Sequence, residues 1–139
     1  MAELNFINNI VENEKIVKII FKNTDKNTDV QISEDDKNTI LSQGVFAQTI
    51  EKETIGNNPF DICITSIINS IQNINNVKSI ALRFEINPNF ELATIMEGMD
   101  ILYEALDEET DICFATLTNP SYNMNHVKIF ALTISDNIN

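Results

Sequence analysis

The 139-residue chain is long enough for one domain with a single core, and its 43% hydrophobic content excludes a disordered chain. Its 21 acidic and 9 basic residues give a formal charge of −12. Because such a charge repels nucleic acid and anionic membranes, we expect neither as a partner.

The N-terminus and the cysteines predict a cytoplasmic protein. The first ten residues, MAELNFINNI, lack the basic start and the long apolar core of a signal peptide, and no apolar run approaches the ~20 residues that span a bilayer. Cys63 and Cys113 each stand alone in an apolar run, as buried free thiols do in a reducing compartment. Since the sequence contains no cluster of Cys or His, we expect no metal and no other cofactor.

The first 32 residues are expected to add a helix and a strand to the domain. Apolar residues recur at helical spacing over residues 3–13, whereas residues 16–22 (IVKIIFK) alternate like a strand. The polar run 23–29 (NTDKNTD) predicts a turn. The strand at 16–22 could extend a sheet and protect its edge.

A short helix is predicted next, from a cap at Ser33 to about Leu41. Acidic residues fill its first turn, where they suit the helix dipole: Glu34, Asp35 and Asp36. After Gly44, residues 45–51 (VFAQTIE) predict a strand. A second helix, over residues 59–71, starts with Pro59 at its first position.

The second half of the chain has the clearest periodicity. Residues 79–86 (SIALRFEI) alternate as a half-buried strand, with Arg83 on the outward face, where we expect it to pair with Glu85 or Glu104. Residues 89–106 carry a helical apolar stripe, and Gly98 within them suggests close approach of another backbone. Residues 111–118 and 127–135 predict two strands in central positions of the sheet, because both are apolar on both faces.

The order of elements from Gly44 is therefore β-α-β-α-β-β, and the last two strands are expected to be antiparallel. Two amphipathic helices need one face of a sheet to cover. The sequence thus predicts an α+β fold, a two-layer α/β sandwich with a mixed sheet of four to five strands and two main helices on one face.

Several segments resemble the C-terminal domain of the FtsZ/tubulin family. KNTILSQGVFAQTI (37–50) resembles a helix of that domain running into a strand through a glycine. Residues 79–116 resemble its strand, turn, helix and next strand, and VKIFALTIS (127–135) resembles its final strand. The resemblance implies a single domain over 1–139, with an N-terminal extension at 1–32 and an FtsZ-like core at 33–135. The extension would cover apolar surface that the GTP-binding domain of the family otherwise buries.

The same resemblance directs attention to the acidic start of the first core helix. In FtsZ, the loop before this domain carries the pattern Asn-x-Asp-x-x-Asp, which completes the GTPase site of the next subunit in a filament. Counting back from Gly44 places the last Asp on Asp35, while Ile32 and Val30 occupy the other two positions. A shift of one residue offers Asp36. Two roles are open for each of these residues: a surface group that suits the helix dipole, or a contact with a partner.

Parts needed for catalysis are missing from the sequence. Its three glycines are far apart, so no glycine-rich loop can cradle a nucleotide phosphate, and we expect no GTP hydrolysis by this chain. His126 is the only histidine and is predicted to lie in a loop without a neighbouring nucleophile. We therefore predict no catalytic residues.

Two hypotheses of function remain from the sequence, beside a third that it cannot separate from the first, that the domain has no biochemical role of its own. The first is a non-catalytic protein-interaction or assembly module that binds a tubulin-like GTPase or a second copy of itself. The alternative is a small-molecule-binding protein or enzyme with a site between the subunits of a homo-oligomer, near Arg83 or His126.

Overall fold

The computed structural model describes residues 4–8, 10–24 and 29–137, which form a five-stranded sheet with helices on both faces. The strands are β1 Asn5–Phe6, β2 Phe46–Ile55, β3 Val77–Ile86, β4 Asp111–Thr118 and β5 His126–Ser135. The helices are α1 Asn13–Phe21, α2 Glu34–Leu41, α3 Pro59–Ser70 and α4 Leu92–Ala105, and a 3₁₀ turn spans Ile74–Asn76. The predicted α+β class with a mixed sheet is confirmed.

The strand order is β1-β2-β5-β3-β4. β5 pairs antiparallel with both β2 and β3, whereas β1 is parallel to β2 and β4 is parallel to β3. The expectation of a central position is therefore right for β5 and wrong for β4, which is an edge strand. β4 runs opposite to β5, as expected, but β3 lies between them. Helices cover both faces of β4, which explains why its sequence is apolar on both sides.

One face of the sheet is covered by α3 and α4, the two main helices that the sequence predicts. The predicted inward positions of β3 are buried there, together with residues of both helices: Phe60, Ile64, Ile67, Ile80, Leu82, Phe84, Ile86, Ile95, Met99 and Leu102. Gly98 of α4 makes the contact between the helices possible, because a Cβ at this position would overlap the Phe60 ring. The close approach predicted at Gly98 is thus made by a side chain and not by a backbone.

The other face is covered by α1 and α2, so residues 16–22 were predicted wrongly as a strand. Ile16 and Ile20 lie one helical turn apart and are fully packed against apolar residues of the sheet: Ala81, Ala115, Phe130 and Leu132. The apolar residues of IVKIIFK fit the spacing of a strand and that of a helix. The helix forms because its apolar residues Ile16 and Ile20 cover the second face of the sheet.

The predicted helix over residues 3–13 is also wrong in the part that the structure describes. Asn5 and Phe6 form β1 against β2, and the Asn8 side-chain amide extends this pairing by bonding both backbone groups of Thr49. The edge of β2 needs partners for its backbone groups, whereas the predicted apolar stripe has nothing to cover: Val11 is 97% exposed. Positions 3 and 9, and residues 25–28 of the predicted turn, lie outside the described residues.

Candidate protein interface

The predicted contact residues, Asp35 and Asp36, lie in the first turn of α2, and both are exposed. Ser33 caps this helix as predicted, since its Oγ accepts a hydrogen bond of 3.1 Å from the Asp36 backbone N–H. Neither carboxylate forms a salt bridge with a residue of the described segments. Both therefore present negative charge to solvent at the N-terminus of α2.

Asp36, but not Asp35, borders the first half of β4. A shallow cavity of about 120 Å³ separates α2 from this strand, and its lining includes Asp36, Asp111, Ile112 and Cys113. The pKa of the Cys113 thiol is raised to about 12. Burial is the main cause, and the negative charges of Asp36 and Asp111 add to it. The cavity therefore has a negative potential that would suit a cationic side chain.

A second cavity lies on the other side of Ile112, between β4 and the end of α4. Its volume is about 400 Å³, and its lining includes Tyr103, Asp107, Glu108 and Ile112. Tyr103 is 45% exposed, so part of its ring is free to receive a partner. The two cavities flank the edge of β4 from opposite faces of the sheet and have acidic residues at their rims; we call this surface, together with the edge at Asp111–Phe114 between them, the β4 groove.

Among the described residues, partners close the outer edge of β4 over its second half only. The backbone N–H groups of Thr116 and Thr118 donate to Val30 O and Asp29 Oδ1, both at 2.9 Å. Because alternate residues of a strand direct their backbone groups to the same side, the N–H and C=O groups of Ile112 and Phe114 also face outward. No backbone group of the described residues pairs with them there.

Arg83 secures the closed half of this edge, which corrects the prediction that it points outward to Glu85 or Glu104. The side chain is 1% exposed and lies on the face that α1 covers. Its register partner on β4 is the small residue Ala115, which leaves room for the guanidinium to reach the far edge. There its Nη2 donates to Thr116 O at 2.8 Å.

Further Arg83 hydrogen bonds tie the end of α1 to the sheet. Nη1 donates to three backbone carbonyls there, those of Ile19, Ile20 and Lys22, and Nη2 donates to Gln31 Oε1 at 3.4 Å. Burial lowers the pKa of Arg83, and the negative charge of Asp29 opposes this shift. The arginine thus caps the C-terminal end of α1 by donating to its last carbonyl groups. The sequence did not predict this role because it did not predict the helix.

His126 is the first residue of β5, and its contacts hold a loop in place. Its Nε2 lies 2.6 Å from Glu53 Oε2 on β2, and its ring stacks on Tyr122 at a centroid distance of 3.6 Å. Burial and the nearby carboxylates of Glu85, Glu53 and Glu51 raise the pKa of Tyr122. These contacts fix residues 119–125 against the end of the sheet.

The described residues, 4–8, 10–24 and 29–137, include two cysteines and one histidine. No three His, Cys, Asp or Glu side chains in these ranges are placed to hold a metal ion. Cys63 is a buried free thiol, as predicted, and burial raises its pKa, whereas the free thiol of Cys113 is only half-buried. No described helix is both long and apolar enough to cross a membrane.

No protein-family model and no curated protein matches the sequence. Among solved structures, the chain is similar to an empty FtsZ dimer from M. jannaschii, with a TM-score of 0.68 and 15% identity over 85% of this chain and 34% of that one. It is also similar to a point mutant of FtsZ from M. jannaschii, with a TM-score of 0.70 and 13% identity over 91% of this chain and 38% of that one.

The chain therefore spans just over a third of the FtsZ chains that it matches. This structural similarity agrees with the resemblance to the FtsZ C-terminal domain that the sequence shows around Gly44, at 79–116 and at 127–135. The chain has the fold of the FtsZ C-terminal domain.

Proposed function

We propose that residues 1–139 act as one domain, a non-catalytic protein-interaction module that binds its partner through the β4 groove and the acidic start of α2. The observation that supports this proposal is the half-open edge of β4. An edge strand with free backbone groups is a surface prepared for another chain, unless charge or cover protects it. Here the described cover ends at Thr116, Asp36 lies beside the open part, and Asp35 lies next to Asp36 in the same helical turn, so both are candidate contacts.

Two partners fit a domain of this fold: a tubulin-like GTPase and a second copy of this chain. One of the similar structures is an FtsZ dimer, which makes both self-association and contact with an FtsZ-type protein reasonable hypotheses. The free thiols Cys63 and Cys113 support a reducing, cytoplasmic setting for this activity.

Co-sedimentation with GTP-assembled FtsZ filaments tests the first partner, and analytical ultracentrifugation of the chain alone tests the second. We expect the chain to pellet with filaments, or to form a dimer, and we expect Asp36→Lys to reduce filament binding, because Asp36 lines the β4 groove. Glu14→Lys is the matched control, because Glu14 also lies exposed in the first turn of a helix. A chain that stays monomeric and never enters the pellet would contradict the proposal.

A further inference from the structure

We propose that the β4 groove binds an extended, basic segment of a partner protein, which adds a strand to the sheet beside Asp111–Phe114. This inference rests on the proposed function, since it names the chemistry of the partner that the same surface would recognise.

The backbone of β4 supplies the first argument. The outward N–H and C=O groups of Ile112 and Phe114 offer two donors and two acceptors in the spacing of a strand. Residues 29–30 and Arg83 occupy the edge from Thr116 onward, so an incoming strand can pair over only these first four residues. The free edge therefore favours a short segment over a full strand.

The opposite edge of the sheet provides a comparison. β1 and the Asn8 amide cover the start of β2, and the remainder, which pairs with no other described strand at this edge, carries charged residues in sequence: Glu51, Lys52 and Glu53. Charges on an edge strand discourage pairing with other chains. The open part of β4 instead continues from Asp111 into Ile112, Cys113 and Phe114, so beyond Asp111 the strand itself carries no charge that would discourage pairing.

The two cavities determine which side chains an added strand would carry. Successive side chains of a strand point to opposite faces of the sheet, and the cavities lie on opposite sides of Ile112. One side chain would enter the α2 side, between Asp36 and Asp111, and the next would enter the α4 side, near Tyr103 and Glu108. A lysine or arginine suits both places, because its stem can lie on apolar surface while its charge meets a carboxylate.

The acidic rim also argues against a second copy of this chain in the groove. Pairing β4 with β4 of another copy would bring two sets of the same carboxylates together: Asp36, Asp107, Glu108 and Asp111. Like charges at such a distance repel, and each copy carries a net charge of −12. A basic segment of a different protein is the occupant that this charge distribution selects.

The test uses the full chain and a fluorescein-labelled peptide, VKRVKRVT, which as a strand carries basic side chains on both faces and whose binding is followed by fluorescence anisotropy. We expect saturable binding, no binding of the acidic peptide VEEVEEVT, and at least a tenfold weaker affinity for VKRVKRVT methylated on alternate backbone nitrogens. N-methylation removes strand hydrogen bonds without changing the charge, and two lost hydrogen bonds account for about tenfold.

Variants of the chain locate the site. Asp36→Lys should weaken peptide binding about tenfold, and Glu14→Lys should change it less than about twofold, because α1 begins beside β2, which lies toward the opposite edge of the sheet from β4. Ile112→Pro removes one outward N–H and should also weaken binding, whereas Ile112→Val keeps that group and should not. Since a proline can lower stability, the methylated peptide repeats the backbone test on the unaltered chain.

The outcomes separate this inference from the proposed function. Equal binding of the methylated and unmethylated peptides would show a general attraction between charges and would overturn strand addition. Filament binding or dimer formation without any peptide binding would overturn this inference and leave the proposed function standing. Loss of all three associations would overturn both.

Discussion

Replacing Arg83 by methionine should destabilise the fold through the loss of its hydrogen bonds to α1 and β4. The guanidinium is 1% exposed and donates to five acceptors: the backbone carbonyls of Ile19, Ile20, Lys22 and Thr116, and the Gln31 side chain. Methionine fills most of the same volume but cannot donate. The substitution therefore leaves several buried carbonyl oxygens without a partner.

The expected loss of unfolding free energy is about 3–5 kcal/mol. Each buried polar group that loses its hydrogen-bond partner costs roughly 1–3 kcal/mol. Methionine also removes a buried charge, and the desolvation cost that this charge carries is then no longer spent, which offsets part of the total loss. For comparison, removing one partner of a buried ion pair destabilises a protein by about 3–5 kcal/mol. Arg83→Lys should lie between methionine and the native residue, because lysine keeps the charge but loses the planar fork of donors.

Urea unfolding followed by far-UV circular dichroism measures this effect, since the chain has no tryptophan. Lys78→Met is the matched control: Lys78 lies on the same strand, is exposed, and loses the same charge on substitution. Hydrogen exchange of the α1 amides should accelerate in Arg83→Met before global unfolding. An unfolding free energy within about 0.5 kcal/mol of the native chain would refute the assigned role of Arg83.

Three further predictions concern packing and the cysteine beside the groove. Gly98→Ala should destabilise by about 1–3 kcal/mol despite the better helix propensity of alanine, because its Cβ overlaps Phe60, and Phe60→Leu should restore part of the loss in thermal unfolding. Ile20→Ala should lower the unfolding free energy by about 2–5 kcal/mol in urea titrations, whereas Val11→Ala should leave it nearly unchanged; equal effects would contradict the packed helix α1. Cys113 has a folded pKa of about 12 against an ordinary value of 9.0, so the native thiol keeps its proton where the unfolded thiol loses it. The unfolding free energy should therefore fall as pH rises from 9 to 12, less steeply in Cys113→Ala, and an unchanged slope in that variant would contradict the pKa shift.

The candidate interface was only partly predictable from the sequence. The acidic first turn of α2 is a local signal, and Asp35 and Asp36 follow from the cap at Ser33 and the resemblance around Gly44. The β4 groove is not a local signal, since it depends on the position of β4 at the sheet edge and on where the cover by residues 29–30 ends. Strands 111–118 and 127–135 have similar apolar patterns, yet β5 is central and β4 is at the edge.

The sequence alone determined the elements whose periodicity allows one solution. Residues 79–86 alternate without interruption and form part of β3, and the helices predicted at 59–71 and 89–106 contain α3 and α4. In these segments the propensity, the apolar pattern and the flanking Pro and Asn residues all favour the same structure. The α+β class followed from these elements because two amphipathic helices require a sheet face to cover.

The tertiary structure alone decided the segments whose local pattern fits two structures. IVKIIFK became a helix because the second sheet face needed an apolar cover, and residues 5–6 became a strand because the edge of β2 needed hydrogen-bond partners. Arg83 points into the molecule because the carbonyls at the end of α1 accept its hydrogen bonds. In each case the deciding partner is distant in the sequence, so no local pattern carries the information.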